Sequence, residues 1–96
     1  MMKRSNNVFR DLGFDPRESQ VLTIKSDLMI ALSRLIERRG LTQAAAAKAF
    51  GVTQPRVSDL VRGKIQLFSI DTLVDMLARA GVTVRIVTGS RRRRAA

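Results

Sequence analysis

The apolar positions recur at helical spacing, in blocks separated by polar breaks. Val21, Ile24, Leu28, Leu32 and Leu35 keep a helical period. Leu28, Ala31, Leu32, Leu35 and Ile36 predict one inward face on a firm helix over 27–39. Ahead of it, Asp15-Pro16 reads as a helix start, with Asp15 at the N-cap, Pro16 at N1 and Glu18 at N3. Lys25-Ser26-Asp27 offers a break, with Ser26 as a fresh cap. The pattern therefore predicts a short helix near 16–22, then the helix at 27–39. Val8, Phe9, Leu12 and Phe14 around Gly13 predict one docked helical turn.

Downstream, caps and glycines mark three more helices. Thr42 caps 43–50, which Gly51 ends. Thr53 caps 54–62, which Gly63 ends, and Ser69 caps 70–80, which Gly81 ends. On the last helix Leu73, Val74 and Leu77 point inward. Val82-Thr83-Val84-Arg85-Ile86-Val87 alternates and is rich in β-branched residues, so it reads as one strand. A lone strand is unstable and needs the N-terminal segment or another chain as partner. The expected fold class is all-α, five helices with a C-terminal β-strand. Its parts are a flexible or loosely docked segment at 1–14, a helical domain at 15–81, the strand at 82–88 and a basic tail at 89–96.

Residues 42–63 are the most informative stretch. Two short capped helices are separated only by Gly51, Val52 and Thr53, which forces a steep crossing. Ala46 and Ala47 permit a close approach, and Phe50, Val52, Val57, Leu60 and Val61 are placed to fill the corner. This is a helix-turn-helix arrangement, whose second helix enters the DNA major groove. That helix keeps a polar face: Gln54, Pro55, Ser58, Asp59 and Arg62. Gln can pair bidentately with adenine, Arg with guanine, and Asp can accept from cytosine N4. Arg56 sits in the first turn, where the helix dipole disfavours a cation by about 0.3–1 kcal/mol. A DNA phosphate or base would answer that charge.

Charge sharpens this picture. The 96 residues hold 18 Lys+Arg against 8 Asp+Glu, a net +10, which points to phosphate-bearing partners. The excess is spread over residues 1–40, 41–68 and 69–96, and is not confined to an arm. With no Cys and no His, disulfides, thiol nucleophiles and most metal sites and triads are excluded. No glycine cluster forms a phosphate loop, and the eight carboxylates are scattered, so no enzyme is expected and no cofactor or metal. The longest apolar run is Leu28–Leu32, too short to span a membrane, and the N-terminus lacks a signal-peptide core. A cytoplasmic, nucleoid-associated bacterial protein is the expectation.

The run Leu41 to Lys64 resembles the Cro/cI-type (XRE) helix-turn-helix family, with Gln43, Ala47, Gly51, Val52, Val57, Leu60 and Gly63 where that family places such residues. The resemblance covers about residues 27–80. Asn7–Phe14 and Lys25–Met29 look more like the small XRE antitoxins of the HigA type. By resemblance, Gln43 would clamp a phosphate, Gln54 would read a base, and Pro55, Arg56 and Asp59 would line the groove. The full candidate DNA-contacting set is Gln43, Thr53, Gln54, Pro55, Arg56, Ser58, Asp59, Arg62 and Lys64. Two departures stand out. Ala45 takes the place of the frequent Glu at N3, so the capping box with Thr42 is missing. Pro55 offers only apolar contact where many relatives place a hydrogen-bonding side chain.

Blander readings accompany each residue. Gln43 and Gln54 could be ordinary helix-start residues, and Arg56 could pair with Asp59 on the surface. Arg62 and Lys64 suit phosphates or plain solvent. Arg91–Arg94 could be a phosphate-binding arm or a solubilising end. Phe9, Phe14, Phe50 and Phe68, with Met29 and Met76, are expected in the core.

The resemblance implies a dimeric, sequence-specific DNA-binding regulator that represses its own gene through a palindromic operator. It also implies a possible role as antitoxin to a small ribonuclease-like toxin bound outside 42–63, through residues 1–25 or the 82–87 strand. The alternatives are a stand-alone phage-type repressor and a sequence-blind nucleoid protein. The strand Val82–Val87 with the adjoining helix 70–80, Val84 and Ile86 sharing one apolar face, is the expected dimer contact; the alternatives are that the strand pairs with residues near Val21–Ile24 or is completed by a toxin.

Overall fold

The computed structural model describes residues 7–89 and contains five α-helices and one short 3₁₀ turn. The helices are α1 (Asn7–Asp11), α2 (Pro16–Arg39), α3 (Gln43–Phe50), α4 (Gln54–Val61) and α5 (Ile70–Arg79). The 3₁₀ turn at Ile65–Leu67 connects α4 to α5. The C-terminal half of α2, α3, α4 and α5 surround one core. It is built from Met29, Leu32, Leu35, Ala46, Ala47, Phe50, Val57, Leu60, Phe68, Leu73, Met76 and Leu77.

The start of α2 follows its capping signals. Asp15 accepts from the Glu18 backbone N–H at 2.7 Å, and Glu18 reaches back to the Asp15 N–H at 3.2 Å. This closed box satisfies two of the helix's orphan donors. The expected break at Lys25-Ser26-Asp27 does not occur; α2 runs unbroken from Pro16 to Arg39. The physical reason is a comparison of costs. A mid-helix Ser loses at most about 0.7 kcal/mol against Ala. Ending and restarting the helix would orphan four carbonyls and four N–H groups. Gly40 then closes α2 in the left-handed conformation at φ 61, its N–H bonded back to the last turn.

The inward stripe of α2 also differs from the expected one. Met29, Leu32 and Leu35 are buried, with Leu28 and Ile36 packed beside them, whereas Ala31 is exposed. At about 100° per residue, positions 28, 29, 32, 35 and 36 form one arc, and 31 falls outside it. Of the expected core phenylalanines, Phe50 and Phe68 are buried and both core methionines are confirmed. Phe9 and Phe14 instead form an edge-to-face pair, 6.3 Å between centroids, at the α1–α2 corner, and Phe14 is exposed. That corner docks loosely: Val8 and Leu12 also face outward.

The expected strand at 82–87 is not formed. Residues 82–89 follow α5 without regular structure. Val82 and Val84 lie against their own core, while Ile86 is 74% exposed. Val84 and Ile86 therefore do not form one shared apolar face, and no strand exists among the described residues to supply a ladder. The basic run Arg91–Arg94 and the first six residues lie outside the described residues.

The two α2 positions can be told apart by urea unfolding. Leu32→Ala should lower stability by about 2–5 kcal/mol through a buried cavity. Ala31→Glu should change it by no more than about 0.5 kcal/mol. Equal effects would contradict the observed rotation of the helix.

Candidate nucleic-acid interface

The corner between α3 and α4 is made by two caps and one turn. Thr42 Oγ1 accepts from the Ala45 N–H at 3.1 Å, and Thr53 Oγ1 from the Arg56 N–H at 3.4 Å. With Ala at N3 of α3, only half of a capping box exists there. Between the helices, Gly51 adopts φ 70 and its N–H bonds back to α3. A Cβ at Gly51 would lie 2.7 Å from Arg79 Cδ, so the side chain of Arg79 lies over this turn. Arg79 is itself paired with Asp75 at 2.9 Å.

Beneath the corner, Ala46, Phe50, Val57 and Leu60 are essentially sealed from solvent. The small side chains Ala46 and Ala47 sit at the contact, as a close helix crossing requires. Val61, expected to fill the same corner, is 45% exposed. It faces a groove along α2, beside Ser26, Met29 and Ile30, because Val57 and Leu60 already occupy the inward side of α4.

On the outside, most of the predicted set is exposed, at the starts of α3 and α4 and just after α4. Gln54 and Pro55 are the first two residues of α4 and both are exposed, as is Gln43 at the first position of α3. Thr53, Arg62 and Lys64 are exposed around them, and Ser58 and Asp59 are half-buried. Neither Gln43 nor Gln54 takes a side-chain hydrogen bond among the described residues, so their amide groups face solvent with both donor and acceptor available.

Besides the Thr53 cap, three members of the set, Arg56, Asp59 and Lys64, are engaged within the chain. Asp59 is paired with Lys64 at 3.7 Å, which balances the one carboxylate on this face. Arg56 does not pair with Asp59. Its guanidinium donates to the Leu67 carbonyl at 3.0 Å and lies 4.4 Å from the centre of the Phe68 ring. The cation placed against the α4 dipole is therefore answered inside the protein. Nothing in the local sequence around Arg56 signalled this, because Leu67 and Phe68 are eleven and twelve residues away and reach it only through the fold. Residues 53–64 hold Arg56, Arg62 and Lys64 against Asp59, so this segment is net positive.

The comparisons with known proteins agree with this geometry. The helix-turn-helix domain family matches residues 8–89. A solved structure described as an XRE family transcriptional regulator is 35% identical, with a TM-score of 0.73, over 82% of this chain and 90% of that one. No curated protein is a significant match.

Thr53→Ala should remove the α4 cap and cost about 1 kcal/mol in urea unfolding, while Thr53→Ser should be close to neutral. Loss of the same size in both variants would mean that the methyl group, not the hydroxyl, holds the helix start.

Proposed function

The chain belongs to the XRE-type helix-turn-helix family of DNA-binding transcriptional regulators, and from that premise we propose that it reads a palindromic operator as a homodimer, represses its own gene and neutralises a small ribonuclease-like toxin. The polar face of α4 carries the DNA part of this reading. Its inward residues Val57 and Leu60 hold the helix to the core, and Gln54 and Pro55 are exposed beside a half-buried Ser58, on the side that would enter a groove. Gln54 suits the N6 and N7 edge of adenine, and Pro55 suits a thymine methyl. Gln43, Arg62 and Lys64 suit phosphates on either side, contacts that set register without reading sequence. One such helix covers only a few base pairs, so a specific site calls for two copies about 34 Å apart.

The α1–α2 corner supports the toxin part. Residues 7–25 balance Arg10, Arg17 and Lys25 against Asp11, Asp15 and Glu18, in a chain whose net charge is +10. The same stretch exposes Val8, Leu12, Phe14 and Val21, and Phe14, Val21 and Leu22 line a groove there. A neutral, apolar surface does not suit a polyphosphate. It suits a protein.

Gln54→Ala should weaken operator binding by about 1–3 kcal/mol and relax preference at one base pair, with unfolding unchanged. The check is a titration against the selected operator and its single-pair variants in the presence of excess random duplex. Binding lost entirely to random duplex would favour a sequence-blind nucleoid protein.

For the second part, the neighbouring gene product should co-elute with this chain in gel filtration. The pair Leu12→Asp and Phe14→Asp should abolish that complex and leave operator binding intact. A complex that survives these changes would place the toxin elsewhere, and the absence of any complex would favour a stand-alone repressor.

A further inference from the structure

Arg56 lies at the third position of α4, beside the residues assigned above to base reading. A base-reading arginine needs its guanidinium free at the tip of an extended side chain, so that two N–H groups can meet guanine O6 and N7. Arg56 is held otherwise. Its guanidinium is stacked 4.4 Å from the centre of a ring that is 1% exposed, and it donates at 3.0 Å to the Leu67 carbonyl. Both contacts belong to the connection between α4 and α5, and Ser69, the N-cap of α5, follows directly. The link therefore joins the start of α4 to the start of α5.

Such a link has a consequence for α4 as a whole. The helix has eight residues, and only Val57 and Leu60 are buried. Two anchors one turn apart fix its position and leave some freedom of rotation about its axis. A third anchor at Arg56 sets that rotation, and with it the direction in which Gln54 and Pro55 face. Reaching a guanine would require Arg56 to give up both the ring and the carbonyl, and to leave a first-turn cation facing its own helix dipole.

We propose that Arg56 is a positioning residue that locks the rotation of α4 through Phe68 and Leu67, and that base discrimination falls to Gln54 and its outward neighbours. This rests on the reading of α4 as the DNA-contacting helix. A lysine cannot replace Arg56 here, since it lacks both the planar face and the fixed N–H fork.

The experiment selects an operator from random duplex with the full wild-type chain. It then measures affinity for that operator and every single-pair variant, together with urea unfolding, for Arg56→Lys, Arg56→Met, Phe68→Leu and the Arg56→Met/Phe68→Leu double variant. Loosening the rotation lowers the fraction of molecules in which α4 is correctly set, so Arg56→Lys and Arg56→Met should weaken binding to operator and variants by one common factor, about three- to tenfold, and leave the discrimination ratios as in wild type. The unfolding midpoint should fall in both. Phe68→Leu, altered at a ring sealed from solvent, should reproduce the uniform loss, and the double variant should lose less than the product of the single losses. A base pair at which Arg56→Met alone loses discrimination, with the unfolding midpoint unmoved, overturns the proposal. Should Phe68→Leu fail to fold, the two Arg56 variants decide by the same criterion. Gln54→Ala separates the two levels: discrimination unaltered in that variant overturns the assignment of α4 as reader, whatever the Arg56–Phe68 coupling in unfolding shows.

Discussion

An eight-residue helix cannot hold itself together in water. Both α3 and α4 are that short, so the structure depends on the buried contact beneath their corner. Phe50, Val57 and Leu60 meet there, with the small side chains of Ala46 and Ala47 allowing the approach. Fully burying a side chain of this size contributes about 1.5–3 kcal/mol. Two such residues on α4 offset the ordering of a helix with little stability of its own. The same contact forces the remaining residues of α4 outward. The burial that stabilises the helix thereby creates its free polar face.

The long helix α2 gives this corner its floor. Its C-terminal half packs against α5, α4 and the 3₁₀ turn. At 1.5 Å per residue its 24 residues span about 36 Å, and the molecule is correspondingly elongated, 50 × 26 × 23 Å. The N-terminal half carries α1 and is held by the Asp15–Glu18 box rather than by a deep core. Ser19 is buried there with its hydroxyl 3.4 Å from the Phe14 carbonyl, and Thr23 Oγ1 is buried with no hydrogen-bond partner among the described residues. The charge of this part is balanced, three basic against three acidic residues over 7–25, unlike the rest of the chain.

Charge at the basic end is arranged rather than merely abundant. Asp59 is matched by Lys64, and Arg56 is turned inward onto Phe68, while Arg62 remains exposed. A partly exposed pair as long as Lys64–Asp59, 3.7 Å, contributes little stability. Arg56 is committed to the fold by two contacts, whereas Lys64 is held only by one long ion pair at 3.7 Å.

Much of this was legible in the residues themselves. Caps at Asp15, Thr42, Thr53 and Ser69, the glycines that follow the helices, and the small-residue corner at 42–63 are local chemistry, and each appears where its sequence signal stands. The exposure of Gln43, Gln54 and Pro55 followed in the same way, because a short helix with one apolar side has only one way to face. What the sequence could not decide depended on distant partners. Ser26 could cap a helix or sit within one, and the cost of orphaned backbone groups decided it. Val82–Val87 has strand composition, but a strand exists only where another offers its backbone, and here Val82 and Val84 pack on their own core instead. Arg56 looked like a free cation against a helix dipole. Only folding brought Leu67 and Phe68 to it, and so only the tertiary structure assigned its charge.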